Sequence, residues 1–241
     1  MLSKNEAKYI QSLSRKKQRL AEGLFIAEGV KLVDELLQSQ YTIRKLYATA
    51  EWMATRDNTN AVAVTAEELA RISGLQTPNQ VLAIVEQPKP TGEPVLRSQL
   101  TIAVDGIQDP GNLGTIIRIA DWFGITQLVA GDDTVELYNP KLIQATMGSF
   151  TRVQVWYRSL TDWLPGVTVP VYGAVLDGKN MYETSPVNEG ILLIGNEARG
   201  IAKELLPFVT HPVTIPASGK AESLNAAVAT GILVAQLKRP G

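Results

Sequence analysis

Short apolar runs alternate with amphipathic segments along the C-terminal part of the chain. The runs are typical of buried strands, and the segments between them carry apolar side chains at helical spacing. This alternation predicts an α/β fold with a parallel, doubly wound sheet and right-handed crossovers. The predicted strands lie at 101–105, 126–130, 153–156, 170–175, 191–194 and 212–216, and the predicted helices lie near 113–123, 140–147, 201–206 and 223–238.

The N-terminal part alternates in the same way but with shorter units. Its pattern predicts a smaller α/β sandwich, in which one layer of helices covers a sheet. Residues 29–38 are the clearest amphipathic helix, with Val30, Val33, Leu36 and Leu37 on one face. The other predicted helices cover 4–20, 50–56 and 66–72, and the predicted strands cover 24–29, 43–49, 61–65 and 80–86.

One stretch, 86–98, has the composition of a linker. It contains Pro88, Pro90, Gly92 and Pro94, which break both helices and strands. We therefore predict a domain at 1–85, a linker at 86–98 and a second domain at 99–241.

Composition removes several classes of function. The 241 residues are 45% hydrophobic and 20% charged, as in an ordinary globular protein. The absence of cysteine excludes disulfides, thiolate metal sites and a cysteine nucleophile. Residues 1–20 are polar and basic and do not resemble a signal peptide, and the longest apolar run, 226–237, is too short to span a bilayer. We expect a cytoplasmic protein with no membrane partner.

Net charge bears on nucleic-acid binding. The formal net charge is −1, so any contact with nucleic acid must come from a local basic patch. The most basic window is 1–20, which is either a plain solvated helix face or a phosphate-binding surface. Against one acid, Glu6, it carries Lys4, Lys8, Arg15, Lys16, Lys17 and Arg19.

Three polar, small-residue loops follow predicted strands: Asn112–Arg118, Gly195–Gly200 and Ser223–Ala229. Ligands of open α/β sheets bind at the carboxyl ends of strands, so the three loops indicate one composite pocket. The second loop, with two glycines, suits a purine edge or a ribose. Glu197 and Arg199 in that loop could pair with each other or with groups across the pocket.

The first loop indicates an anion site. Asn112 is predicted to cap the helix that follows it. Arg118 lies off the apolar stripe of that helix, and helical side chains lean toward the N-terminus, so its guanidinium should reach back over Thr115 and Gly114. Together with the helix N-terminus it would hold phosphate. The alternative, a surface arginine behind a capped helix, remains open on this segment alone.

Other chemistry is not supported. His211, the only histidine, precedes Pro212 at a strand entrance and is predicted to be structural. Asp132 and Asp133 follow a strand and are predicted to be solvated rather than metal-binding. The chain lacks a P-loop and the dinucleotide GxGxxG fingerprint. We predict no metal site.

Taken together and in this order, the three segments resemble the SpoU-type (TrmH-like) RNA ribose 2′-O-methyltransferases of the SPOUT superfamily. The matching stretches are NLGTIIRIAD at 112–121, ILLIGNEARGI at 191–201, and VTIP with SLNAAVA within 213–229. The N-terminal part resembles the small substrate-binding domain that many of these enzymes carry, through NEAKYIQSL, KKQR and LFIAEGVKLVDELL.

The resemblance implies a trefoil knot in the C-terminal domain, bent S-adenosylmethionine as cofactor, and a homodimer with its site near the subunit interface. It implies that Arg118 acts on the ribose 2′-hydroxyl and that Gly195, Ile215 and Leu224 contact the cofactor. The remaining residues that it implies for the catalytic site are Asn112, Glu197, Ser223 and Asn225.

A structured RNA is the expected partner, and the accessory N-terminal domain favours ribosomal over transfer RNA. Two alternatives stay open at this point. One is a non-catalytic RNA-binding protein on a knotted scaffold. The other is a nucleotide-cofactor oxidoreductase, which the missing dinucleotide fingerprint disfavours.

Overall fold

A computed structural model describes residues 2–56 and 60–239. The chain divides into two compact units. One unit contains the chain up to Lys89 together with Glu136–Thr151, and the other contains Pro90–Val135 and the chain from Arg152 onwards. The domain boundaries predicted from composition stay a prediction.

The N-terminal unit is built on a four-stranded sheet, which agrees with the predicted α/β sandwich. Its elements are α1 (Lys4–Ser12), α2 (Lys16–Glu22), β1 (Leu24–Glu28), α3 (Val30–Leu37), β2 (Ile43–Ala48), α4 (Ala50–Met53), β3 (Val62–Ala63), α5 (Ala66–Ile72) and β4 (Val81–Glu86). The strand order is β1-β4-β2-β3, in which β4 runs antiparallel to both neighbours.

The single helix predicted over 4–20 is two helices. The chain breaks at Ser14 and Arg15, where Arg15 is extended. The buried Arg19 guanidinium donates to the carbonyl groups of Leu13 and Ser14, at 3.0 and 2.5 Å, and so satisfies acceptors that the break leaves without helical partners. Arg19 also forms an ion pair with Glu136.

The segment Glu136–Thr151 completes the apolar core of this unit. The elements of this region and of the second unit are β5 (Leu100–Val104), α6 (Pro110–Trp122), β6 (Gln127–Gly131), α7 (Pro140–Thr146), β7 (Gln154–Arg158), α8 (Leu160–Trp163), β8 (Val171–Asn180), β9 (Gly190–Ile194), β10 (His211–Thr214) and α9 (Ala226–Leu237). Helix α7 packs on β1, and Gln144 donates to the Glu28 carbonyl at 2.7 Å. The ring of Phe150 lies 5.9 Å from Phe25 and 5.2 Å from Tyr41.

The second unit has a six-stranded sheet of order β10-β8-β9-β5-β6-β7, and every neighbouring pair is parallel. The six predicted strands are therefore confirmed. From β5 the chain continues to β6 and β7 on one side, whereas β9 lies on the other. The carboxyl ends of β5 and β9 thus form a topological switch point, where ligands of such sheets bind.

The helix predicted at 201–206 is wrong. The N–H of Ala202 is taken by the Asp105 carboxylate at 2.7 Å, and the segment forms turns and a short 3₁₀ helix, Leu206–Phe208, around Pro207. The local pattern could not reveal this, because the competing acceptor lies 97 residues away.

Strands β8 and β10 pair with a large change of register. Pro212 lies opposite Gly173, but the next residue, Val213, lies opposite Lys179. A Cβ on Gly178 would come within 2.6 Å of the Val213 carbonyl carbon, so β10 lies directly against the main chain of Gly178. The predicted strand at 170–175 is accordingly longer than expected. Within the described residues, none of the helices is long and apolar enough to cross a membrane.

Candidate active site

Helix α6 begins three residues before the predicted start. Asp109 is its N-cap, with the carboxylate accepting the N–H of Asn112 at 2.8 Å, and Pro110 occupies the first turn. The prediction that Asn112 caps the helix is therefore wrong. Because Asp109 takes the capping role, the Asn112 side chain is available for contacts outside the helix.

Asn112 joins the three predicted loops. Its side-chain carbonyl accepts a hydrogen bond from the Asn225 amide at 2.8 Å, and its own amide donates to Glu197 Oε1 at 2.7 Å. Asn225 is also the N-cap of α9, where its carbonyl oxygen accepts the N–H groups of Ala227 and Val228. We call the series Asn225–Asn112–Glu197 the polar relay. It brings together residues that are up to 113 positions apart.

Arg118 lies on the exposed face of α6, outside the polar relay. It shares this face with Gly111, Thr115 and Trp122, all of which are exposed. In the part of the chain that the structure describes, its guanidinium has no hydrogen bond or ion pair. Arg118 is therefore a cation available to an incoming anionic group, which agrees with the anion-site interpretation.

The second loop folds back on itself. Asn196 and Gly200 exchange two main-chain hydrogen bonds, at 3.0 and 2.9 Å. A Cβ on Gly195 would lie 2.1 Å from the Gly200 carbonyl carbon, so only glycine fits. The Asn196 side chain accepts the Ala198 N–H at 2.9 Å and donates to the Gly106 carbonyl at 2.6 Å.

Arg199 pairs across the site rather than with Glu197. Its Nη2 lies 3.1 Å from Asp105 Oδ1 and 2.9 Å from Asp133 Oδ2. Asp133 is 49% exposed at its side chain, and its pairing with Arg199 was not predicted. Among the residues that the structure covers, no group of acidic or histidine side chains could hold a metal ion. The sequence signal for Asp105 was only its position directly after β5, which does not identify a partner 94 residues away.

The segment between β10 and α9, which leads into the third loop, combines polar main chain with apolar side chains. The N–H groups from Ala217 to Leu224 make no hydrogen bond within the described part of the chain. Leu224 is 46% exposed, and Ile215 is half-buried. Ser223 is exposed and lies outside the polar relay. Open N–H groups beside apolar side chains fit a ligand with both polar groups and an aromatic ring, as S-adenosylmethionine has.

His211 has structural surroundings, as predicted. Its Nδ1 lies 2.9 Å from Thr210 Oγ1, and its ring packs 4.9 Å from Tyr172, centroid to centroid. Burial raises the pKa of Tyr172. Neither group contacts the polar relay.

Comparison with known proteins matches both parts of the chain. Residues 99–235 match the SpoU rRNA Methylase family, and residues 4–83 match the MRM3-like substrate binding domain. The 23S rRNA (guanosine(2553)-2′-O)-methyltransferase RlmP of Bacillus subtilis is 32% identical over 235 residues, which cover 95% of this chain and 94% of RlmP.

Solved structures agree over the whole length. A TrmH-family protein from Porphyromonas gingivalis has a TM-score of 0.90 and 41% identity, and the match covers 99% of each chain. An AdoMet-bound rRNA methyltransferase from Sinorhizobium meliloti has a TM-score of 0.86 and 29% identity, covering 99% of this chain and 97% of the other. The family model spans more than half of the chain, and this chain therefore belongs to the SpoU rRNA methylase family.

Proposed function

We propose that this protein transfers a methyl group from S-adenosylmethionine to a ribose 2′-hydroxyl of 23S ribosomal RNA. The predictions of the enzyme class and of the cofactor are confirmed by the family match and by relatives such as RlmP and the AdoMet-bound Sinorhizobium enzyme. These findings favour an enzyme over a non-catalytic RNA-binding scaffold. The observation that carries the proposal within this chain is the polar relay at the switch point of the sheet.

The loops after β9 and β10 would hold the cofactor. The turn at Gly195 packs against the main chain of Gly200 and so fixes the shape of the loop, and Ile215 and Leu224 offer apolar contact to an adenine ring. When bound, S-adenosylmethionine supplies a methyl group activated by the adjacent sulfonium. Aligning the ribose oxygen with that methyl group can contribute about 7–11 kcal/mol in well-oriented cases.

The polar relay would fix this alignment. Glu197 holds the Asn112 amide in one orientation, and Asn225 holds its carbonyl. The relay therefore sets the first turn of α6 against the loops after β9 and β10. Ser223, exposed two residues before Asn225, would present its hydroxyl to the RNA or to Arg118.

Arg118 would act as a permanent cation. The 2′-hydroxyl must lose its proton as the new bond to carbon forms, and this proton would pass to solvent water, because a guanidinium almost never deprotonates and is a poor general base. A charged Arg118 instead stabilises the developing negative charge on the ribose oxygen and holds the neighbouring phosphate.

Substitution of Arg118 tests this role. Arg118→Ala should lower methylation turnover by about 10²- to 10³-fold, the loss expected when one donor to a developing oxyanion is removed. Binding of S-adenosylmethionine, measured by calorimetry, should be unchanged. Arg97→Ala removes another exposed arginine charge from the same unit and serves as the control. Turnover of Arg118→Ala within a few-fold of the wild type would contradict the proposal.

Mapping of ribose 2′-O-methylation in cellular RNA identifies the substrate. Ribose methylation in cellular RNA should lose a single mark when the gene is deleted, and that mark should lie in 23S rRNA. A lost mark in transfer RNA alone would refute the ribosomal assignment. An enzyme that acts on bacterial ribosomal RNA would work in the cytoplasm, as expected from the sequence.

A homodimer is supported by the outer surface of α6 and α9. The two helices pack together, with Ile119 against Gly231. Helix α9 is apolar on all sides, yet Val228 and Ala235 are exposed, and Trp122 on α6 is 85% exposed. Such a helix is ordinarily covered on every side, and a second copy of this chain would cover it.

Trp122 tests the dimer. Trp122→Glu should shift the protein toward the monomer in sedimentation velocity, because it places a charge in an apolar contact. Leu20 is also an exposed apolar side chain, and Leu20→Glu should leave the mass unchanged. The implied trefoil knot also remains a proposal.

A further inference from the structure

Two separate connections hold the loop after β9, one to the loop after β5 and one to the loops after β5 and β6. One is the hydrogen bond from the Asn196 amide to the Gly106 carbonyl. The other is the ion-pair group of Arg199 with Asp105 and Asp133, with distances of 3.1 and 2.9 Å. Neither aspartate belongs to the polar relay. Asp105 follows β5 and Asp133 follows β6, whereas Arg199 follows β9, on the other side of the switch point.

Asp105 makes this group more than a surface ion pair. Its carboxylate is buried, with 5% of the residue exposed, and its two oxygens accept from Arg199 and from the Ala202 N–H. A buried carboxylate that loses its cation is costly. The segment Arg199–Ala202 therefore cannot leave the loop after β5 without leaving Asp105 unpaired.

Gly106 shows how closely the group is packed. Its φ is +68°, and a Cβ there would lie 2.6 Å from Asp133 Oδ2 and 2.9 Å from Arg199 Nη2. The ion pair thus rests directly against the main chain of Gly106. Only glycine permits this contact.

We propose that Arg199, Asp105 and Asp133 form a positioning clamp for the cofactor loop. Arg199 lies two residues after Glu197 and four after Gly195. The clamp therefore fixes the C-terminal end of the Gly195 turn and, with it, the Glu197 end of the polar relay. The three residues act through the loop rather than on the substrate. This inference rests on the proposed function, because it assigns the loop to S-adenosylmethionine.

Arg199→Met tests the clamp. It keeps the length of the side chain and removes the charge, and it should raise the Kd for S-adenosylmethionine about tenfold, between the effects of a surface and a buried ion pair. Arg199→Lys should recover most of the affinity, because one ammonium can still bridge both carboxylates. Calorimetry on the full chain without RNA measures both.

Arg152→Met is the matched control. Arg152 pairs with Asp121 in the same unit and is 47% exposed at its side chain, against 52% for Arg199. Its removal should leave the Kd unchanged. Asp105→Asn should raise the Kd more than Asp133→Asn, because the Asp133 side chain is 49% exposed and the Asp105 side chain only 7%.

Two results would overturn the clamp. If folded Arg199→Met binds the cofactor as tightly as the wild type, the ion pairs are incidental. If Arg199→Lys is as weak as Arg199→Met, a positive charge that bridges the two carboxylates is not what holds the loop. A wild-type chain that fails to bind S-adenosylmethionine would instead refute the proposed function.

Discussion

Asn112 uses both ends of one side-chain amide. The carbonyl oxygen accepts from Asn225, and the nitrogen donates to Glu197. An aspartate in its place would keep the first bond and lose the second. It would also bring two carboxylates within hydrogen-bond distance, where like charges repel.

Asn112→Asp should therefore lower turnover by about 10- to 100-fold, the cost of losing one hydrogen bond to a charged group. The measurement is single-turnover methylation at saturating S-adenosylmethionine. Adding Glu197→Gln restores a donor opposite the new carboxylate and should recover part of the activity. A double variant no faster than the single variant would argue that the contact between these two side chains is not functional.

The sequence predicted individual site residues better than their partners. Asn112, Glu197 and Asn225 were all expected at the site, and the structure brings them together. The roles proposed for them stay a prediction. The pairing of Arg199 with Asp105 could not be predicted, because local patterns do not specify which of many aspartates folds against a given arginine.

Helix α6 connects the strand pattern to the site. Periodicity located this helix, since its buried residues repeat at helical spacing: Leu113, Ile116, Ile117 and Ala120. The start was placed too late because Asn112 was taken as the cap. The pair Asp109-Pro110 is the stronger signal, since it combines a favoured N-cap with proline in the first turn.

Removal of this cap should affect both stability and activity. Asp109→Ala deletes the acceptor of the Asn112 N–H and should cost about 1 kcal/mol of stability. Thr65→Ala removes the equivalent cap of α5, where Thr65 accepts the Glu68 N–H at 3.2 Å, and is the matched control. Thermal melts should show similar losses for both variants.

Only Asp109→Ala should slow methylation at a temperature where both variants are folded, because only α6 carries Asn112 and Arg118. Equal activity of the two variants would show that the start of α6 does not set the geometry of the polar relay.

At the scale of the whole molecule, the match of residues 4–83 to a substrate binding domain makes us expect RNA contact at the basic N-terminal window, with one correction. Arg19 is 2% exposed and is bonded to Glu136 and to two carbonyl groups, so it does not belong to that surface. The other cations of the window are exposed: Lys4, Lys8, Arg15, Lys16 and Lys17.

Replacing both Lys16 and Lys17 by Gln should weaken RNA binding and reduce its dependence on salt. The slope of the logarithm of the binding constant against the logarithm of salt concentration should fall by about 0.7–0.9 for each RNA phosphate that the variant no longer neutralises. Binding of S-adenosylmethionine should not change. Replacing Lys31 and Lys89, which are also exposed, by Gln removes the same charge elsewhere on the N-terminal unit and is the control. Equal weakening by both pairs would mean that only overall charge matters.

The alternation of strands and helices was enough to predict both sheets and the parallel direction of the larger one. It did not predict that Glu136–Thr151 would join the N-terminal unit. Helix α7 looks like an ordinary crossover helix in sequence. Its partner, β1, is identified only by tertiary contacts such as that of Gln144 with the Glu28 carbonyl.

This discontinuity has a consequence for biosynthesis. When Lys89 leaves the ribosome, Phe25 and Tyr41 still lack the ring of Phe150. Residues 90–151 must be translated first, which takes roughly 3–12 s at about 5–20 residues per second. During that interval the nascent chain carries an unfinished apolar surface, which is a natural substrate for a chaperone.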